Sequence, residues 1–133
     1  NLNDSINLAG FLRDEGVDFL HLSCWDVFAN SKEYPDDPRK LTEWFTQSFD
    51  DLPPIISTGS VWSKSDAQEL IDQGADLIGV ARAGIPYPDW AKNLSQENYN
   101  PPRAPFTVKQ LRKADLSDSF INYMRKWKGF VHN

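Results

Sequence analysis

The sequence predicts an α/β fold in which helices cover a parallel sheet. Short apolar runs alternate with longer segments of helical periodicity, and a glycine separates helix from strand at Gly16 and again at Gly74. Strands that alternate with helices in this way are typical of βαβ units, whose strands are parallel. Because 40% of the 133 residues are apolar, the chain can form a core of its own.

The first half of the chain contains the first helices and the first strand. Helical periodicity over residues 5–15 predicts a helix, a strand is predicted over 17–24, and a loop over 25–36. Asp37 followed by Pro38 predicts a second helix start, because aspartate caps helices and proline suits the first helical position. The buried face of that helix is expected at Leu41, Trp44, Phe45 and Phe49.

Two further strands follow. They are predicted over 54–58 and 75–81, with a helix over 63–73 between them and a short helix over 89–94 after Arg82. Three strands cannot close a barrel of eight, so the chain is either part of a barrel or a small open sheet. The unpaired edges of such a sheet predict a partner, either the remainder of a barrel or a second copy of the chain.

The last part of the chain has a different composition. A proline-containing connector covers 98–105, T-x-x-Q at Thr107 predicts a capped helix, and a final helix is predicted over 117–129. We therefore divide the chain into residues 1–97, the sheet-bearing part with the candidate site, and residues 98–133, the connector and C-terminal helices. The final helix carries an aromatic stripe that is expected either to pack on the rest of the protein or to bind a partner helix: Phe120, Tyr123, Met124 and Trp127.

Composition excludes several classes of protein. A net charge of -5 argues against a dedicated nucleic-acid binder, and the sequence lacks the run of about 20 apolar residues that spans a bilayer. The single cysteine, Cys24, excludes a disulfide within the chain and fits a reducing, cytoplasmic location. Only two histidines accompany it, so no metal site is expected. The sequence does not begin with Met, and we expect it to be a processed or partial protein.

Two consecutive strand ends carry the candidate site. Gly59 and Ser60 follow one strand, where backbone N–H groups can converge on an anion. Arg82 follows the next strand, and its guanidinium suits a phosphate. Because the carboxyl ends of parallel strands meet at one edge of the sheet, the two turns are expected to be neighbours. Together they predict a phosphate site.

The stretch I-I-S-T-G-S-V-W-S-K-S-D-A-Q-E-L-I-D-Q-G-A-D-L-I-G-V-A-R-A-G-I-P-Y-P-D-W resembles the seventh and eighth βα units of the old yellow enzyme family, the NADH:flavin oxidoreductases. Gly59, Gly74-Ala75-Asp76, Arg82 and Pro88-Asp89 match the family pattern in order and spacing. The resemblance covers about residues 5–94. It implies that the chain is the carboxy-terminal part, about strands six to eight, of a TIM (β/α)8 barrel with a helical C-terminal tail.

The resemblance also implies FMN as cofactor, with the flavin phosphate held by Gly59, Ser60, Ala81 and Arg82. Ala81 departs from the family, which has glycine there, and its methyl group narrows the approach of the phosphate. The family's substrate-binding and most flavin-contacting residues lie on earlier strands, so no catalytic residue is assigned to this chain and it is expected to be inactive alone. NAD(P)H and a small-molecule acceptor are the implied partners of the intact enzyme.

Alternatives remain at this point. Another TIM-barrel enzyme, such as a sugar-phosphate isomerase or aldolase, would share the phosphate site. A non-catalytic half-barrel without a ligand is the third hypothesis. Among single residues, His21 is expected to be an interior histidine with a hydrogen-bond partner, Cys24 a packed thiol, and the carboxylates helix caps or solvated side chains: Asp36, Asp37, Asp50 and Asp51.

Overall fold

The computed structural model describes residues 1–132. Within them the chain forms an α/β arrangement of three strands and six helices, which confirms the predicted fold class. The elements are α1 Leu2–Asp14, β1 Leu20–Ser23, α2 Leu41–Thr46, β2 Ile55–Thr58, α3 Lys64–Asp72, β3 Leu77–Gly79, α4 Trp90–Asn93, α5 Val108–Lys113 and α6 Asp118–Met124.

The three strands form one parallel sheet in the order β1-β2-β3. Leu20 pairs with Ile55 at the amino end of β1, and Ser23 pairs with Thr58 at its carboxyl end. Thr58 in turn pairs with Gly79 of β3. Each strand therefore lies beside its successor in the sequence, and β2 is the central strand of the sheet. That these strands belong to a closed barrel stays a prediction.

The two faces of the sheet differ in exposure. On one face, Leu20 and Ile55 are buried in a core that also includes Trp44 and Phe45 of α2 and Ala9 of α1. On the other face, His21, Ser23 and Leu77 are exposed within the part of the chain that the structure describes. Parallel sheets in proteins are normally covered on both faces. The open face is thus a surface that a further layer of protein could cover.

Several helix boundaries follow from local hydrogen bonds. Asn1 caps α1 by accepting from the backbone N–H of Asp4 at 2.9 Å, so the helix begins earlier than the predicted residue 5. Gly16 and Gly74 have φ angles of +77° and +94°, which glycine adopts without the penalty that other residues suffer. Both glycines end helices where the sequence predicted.

The start of α2 was predicted too early. Asp37 does not cap that helix: its carboxylate accepts from the backbone N–H of Arg39 at 2.9 Å and pairs with the guanidinium of Arg39 at 2.8 Å. The helix instead begins at Leu41, and Glu43 accepts from the backbone N–H of Lys40 to complete its first turn. Asp37 therefore binds the neighbouring Arg39 and does not cap the helix, as its position in the sequence had suggested it would.

Asp76 fixes the start of the third strand. Its carboxylate accepts from the backbone N–H of Ile55 at 2.8 Å, and its own N–H donates to the carbonyl of Ile55 at 2.9 Å. The side chain thus joins β3 to β2 at the amino end of the sheet. The G-A-D motif that ends α3 has a structural role at the end of the sheet opposite to the candidate site.

The chain divides into two compact units, of which unit 1 comprises residues 1–61 and 65–80 and unit 2 comprises residues 62–64 and 81–133. Unit 1 contains the sheet. Unit 2 has an aromatic core in which Trp62 and Phe106 lie 6.2 Å apart, and Phe106 and Phe130 lie 5.3 Å apart. The division of the chain between residues 97 and 98 stays a prediction.

The C-terminal helices of unit 2 differ in part from expectation. Thr107 and Gln110 form the predicted capping box of α5. The final helix is shorter than predicted, and Ile121 and Met124 form its buried side. The rest of the predicted aromatic stripe is exposed: Phe120, Tyr123 and Trp127. No helix within residues 1–132 has both the length and the apolar character needed to cross a membrane.

Candidate functional site

The turn after β2 is fixed by its contact with the end of β1. Gly59 is buried, with a φ angle of +151°, and a Cβ atom there would lie 2.4 Å from the carbonyl oxygen of Cys24. The next residue, Ser60, also has a positive φ of 58°, and its hydroxyl donates to the carbonyl of Trp25 at 3.0 Å. No side chain larger than hydrogen fits at position 59, so the fold itself requires glycine there.

The end of β3 lies beside the end of β2. Thr58 and Gly79 are paired in the sheet, so the strands end side by side and their following residues leave the same edge. Ala81 and Arg82 come next along the chain, in unit 2, and both are exposed. The adjacency of the two strand ends is as predicted. Joint binding of one phosphate by Gly59, Ser60, Ala81 and Arg82 stays a prediction.

A polar layer crosses the open face of the sheet just below these turns. The Nε2 atom of His21 lies 2.8 Å from the hydroxyl of Thr58. A Cβ atom on Gly79 would clash with that same hydroxyl, so the Thr58 side chain extends across β3 where a glycine leaves room. His21 has the expected hydrogen-bond partner, but within residues 1–132 its ring is exposed.

Cys24 is a partly buried thiol at the end of β1. Burial raises the pKa of the thiol above its ordinary value, because the thiolate would lose its solvation. A redox or nucleophilic cysteine needs a lowered pKa. The raised pKa does not favour a redox role, and the predicted packing role stays a prediction; the carbonyl of Cys24, rather than its sulfur, contacts the turn at Gly59.

The loop after β1 contributes both packing and exposed surface. Tyr34 packs against Trp44 with ring centroids 5.0 Å apart, and the guanidinium of Arg39 lies 3.5 Å from the Trp44 ring. Trp25 is instead 75% exposed. Single exposed apolar side chains are common on protein surfaces, so Trp25 alone does not indicate a ligand.

Two of the four carboxylates considered for acid–base catalysis, Asp37 and Asp51, pair with arginines. Hydrogen bonds from Arg39 lower the pKa of Asp37, and Asp51 pairs with Arg13 at 2.7 Å. The lowered pKa keeps Asp37 ionised at neutral pH, which is unsuited to a general acid. Among residues 1–132, no group of three or more histidine, cysteine or acidic side chains is arranged to hold a metal ion.

No known protein-family profile matches the chain. The NADH:fumarate oxidoreductase of Klebsiella pneumoniae is 34% identical over 96 residues, which are 70% of this chain and 10% of that protein. The probable NADH-dependent flavin oxidoreductase YqiG of Bacillus subtilis is 25% identical over 95 residues, or 71% of this chain and 26% of that protein. The homologues of the chain thus include NADH-dependent oxidoreductases.

A relative of another kind also matches. Subunit HisF of the imidazole glycerol phosphate synthase of Campylobacter lari is 28% identical over 97 residues, which are 72% of this chain and 36% of that subunit. The chain spans between 10% and 36% of the length of these three relatives.

Proposed function

We propose that the chain is a flavin-phosphate-binding segment of an NADH-dependent flavin oxidoreductase of the old yellow enzyme kind. In this proposal the segment is the carboxy-terminal part of a TIM barrel, and the cofactor is FMN. The observation that carries the proposal is the pairing of Thr58 with Gly79, because it places the ends of β2 and β3 side by side. The names of two relatives support a flavin- or NADH-dependent oxidoreductase.

The residues assigned to FMN are compatible with a phosphate group. The backbone of Gly59 and Ser60 and that of Ala81 would supply N–H donors, and Arg82 would supply the charge. Ala81 and Arg82 are exposed and Ser60 is partly exposed, so an anion can reach them. When bound, the flavin would carry hydride between NADH and an acceptor. The residues of this chain would bind and orient it, and the catalytic residues would lie on strands outside the chain.

The open face of the sheet supports the barrel part of the proposal. The side chains of His21, Ser23 and Leu77 lie on the face opposite to the helices. The interior of a closed barrel would lie on that open face. The relatives are also much longer than the matched region. On this view the remaining strands belong to a longer protein, and the 133-residue chain alone has no turnover.

The test is an FMN titration of the chain, followed by the change in flavin fluorescence, with riboflavin as the ligand that lacks the phosphate. FMN is expected to bind more tightly than riboflavin. Arg82→Ala is expected to weaken FMN binding about tenfold or more, because it removes a charge-assisted phosphate contact. Riboflavin binding should change little.

Lys92→Ala is the matched control, since Lys92 is an exposed cation of the same unit outside the proposed site. FMN affinity that is unchanged by Arg82→Ala, or lowered equally by Lys92→Ala, would contradict the assignment. Equal affinities of the chain for riboflavin and FMN would contradict the assignment as well.

A second candidate is a different phosphate-binding barrel enzyme, favoured by the similarity to the HisF subunit. It would use the same two turns for a sugar phosphate or a related ligand. A chain that binds inorganic phosphate through Arg82 but does not prefer FMN over it would favour this candidate. Binding of FMN at least tenfold tighter than that of inorganic phosphate would exclude it.

A further inference from the structure

Unit 2 contains a second basic feature, remote in sequence from the proposed flavin-phosphate residues. A cavity of about 480 Å³ lies at the end of α6, within the size range of small-molecule sites. We name it the α6 cavity. It is lined by Pro105, Arg125, Lys126, Trp127, Lys128, Gly129, Val131 and His132. Within residues 1–132 no acidic side chain lines it, although the whole chain carries a net charge of -5.

Cations at the end of a helix can serve only to stabilise its dipole. Here backbone N–H groups already satisfy three of the last four carbonyl groups of α6. The N–H groups of Arg125, Lys126 and Trp127 donate to the carbonyls of Ile121, Tyr123 and Met124 at 3.3, 3.0 and 3.1 Å. The basic side chains are therefore not required as caps, and their chemistry is available to a ligand.

The acidic side chain at the start of α6 is already paired with another arginine. Asp118 is paired with Arg112 of α5 at 2.8 Å, and the same contact lowers the pKa of Asp118. Within residues 1–132 the side chains of Arg125 and Lys128 form no ion pair. Lys126 instead lies over the ring of Tyr123, 5.2 Å from its centroid.

Trp127 differs from the other tryptophans of unit 2. Trp62 and Trp90 are buried, and their indole N–H groups donate to the carbonyls of Pro101 and Trp62, each at 2.7 Å. Trp127 is 50% exposed, and its indole N–H has no partner within residues 1–132. An exposed indole beside three lysine and arginine side chains provides a flat surface on which an aromatic ring can stack.

We propose that the α6 cavity binds a nucleoside phosphate, with the phosphates paired to Arg125, Lys126 and Lys128 and the base stacked on Trp127. The three cations offer several donors to phosphate oxygens, and arginine can bind two of them at once. Neither the cations nor the indole alone would select such a ligand. Their combination around one cavity favours an anion that also carries a planar ring.

The test uses the full 133-residue chain and three probes: ADP, inorganic pyrophosphate and adenosine, each titrated calorimetrically. ADP is expected to bind more tightly than either of the others, because only ADP uses both parts of the cavity. Lys126→Ala with Lys128→Ala should weaken ADP and pyrophosphate about tenfold or more. Trp127→Leu should weaken ADP toward the affinity of pyrophosphate and leave pyrophosphate itself unchanged.

The matched control is Lys109→Ala with Lys113→Ala, which removes the same charge from α5, in unit 2, away from the cavity lining. It should alter ADP affinity by less than about twofold. Because all four lysines are exposed, each double variant is expected to keep the far-ultraviolet circular dichroism of the parent chain. An equal loss in both double variants would mean nonspecific charge attraction and would overturn the proposal.

Two further outcomes would also overturn it. If ADP and pyrophosphate bind with equal affinity and Trp127→Leu changes neither affinity, the cavity does not recognise the base. If Arg82→Ala abolishes ADP binding, the nucleotide occupies the proposed flavin-phosphate site instead. Conversely, ADP binding retained in Arg82→Ala but lost in the Lys126/Lys128 variant would support the α6 cavity even if the chain failed to bind FMN.

Discussion

The turns after β2 and β3 differ in what determines their sequence. Gly59 is buried against the carbonyl of Cys24, so the packing of the sheet alone requires glycine. Ala81 and Arg82, after β3, are exposed. A residue that the fold requires is weak evidence for a ligand, because stability would select it in any case. Arg82 is therefore the more informative member of the proposed site, although Gly59 fits the family pattern equally well.

The largest effect is expected at the packed turn. Gly59→Ala would place a methyl group 2.4 Å from a backbone oxygen in a conformation that other residues rarely adopt. We expect the free energy of unfolding to fall by at least about 3 kcal/mol, measured by urea denaturation. Gly16→Ala is the matched control, since its φ is also positive but nothing lies within 4 Å of its Cβ. It should cost only about 1 kcal/mol. Equal losses would show that the contact with Cys24 is unimportant.

A smaller effect is expected at Gly79, the last residue of β3. An alanine there would meet the hydroxyl of Thr58, which would have to rotate away from His21. The expected cost is about 1–3 kcal/mol. Thr58→Ala in the same chain should recover part of this loss, since the hydroxyl is then absent. A double-mutant cycle measures the coupling, and strictly additive losses would contradict the described contact.

The exposed turn can be changed with little effect on folding. Ala81→Gly removes the methyl group that narrows the proposed phosphate approach, and it is expected to strengthen FMN binding a few-fold. Its cost in unfolding free energy should stay below about 1 kcal/mol. The same FMN titration measures this change, with Arg82→Ala as the comparison variant that is expected to weaken binding. Weaker FMN binding by Ala81→Gly would show that the family glycine is not needed at this position.

The smallest effect concerns the thiol of Cys24. Its pKa is raised in the folded chain, so the folded state keeps its proton at a pH where the unfolded chain has lost it. The contribution to stability is complete below the unfolded pKa of about 8.5 and is lost as pH rises through the folded pKa. Cys24→Ala should show a shallower loss of stability between pH 8 and pH 10, and an unchanged slope would contradict the shift.

Much of the fold could be read from the sequence, because its signals are local. Gly16 and Gly74 end helices through their own backbone conformation, and Thr107 with Gln110 caps a helix within one turn. The register between strands is not a local property. It places His21 beside Thr58, and it decides that Gly79 must lack a side chain. Neither the capping failure of Asp37 nor the exposure of Trp127 could be predicted, since both depend on which neighbour competes for the position.

The same limit applies to the site. The order of the two strand ends followed from the sequence, and the pairing of Thr58 with Gly79 agrees with it. The sequence also identified Gly59 and Ser60 as candidate site residues. It did not show that Gly59 packs against the backbone at the end of β1. The α6 cavity was not found from the sequence, because cations near a helix end usually need no further explanation.

The order of the sheet has a consequence for how the chain is made. Each strand pairs with the next one along the sequence, as Leu20 does with Ile55 and Ile56 does with Leu77. Each pairing therefore closes only the segment between consecutive strands, although parallel pairing is intrinsically slower than pairing through a hairpin. During synthesis, β1 and β2 can pair once residue 58 has left the ribosome, and β3 can join them before α5 and α6 have emerged from it.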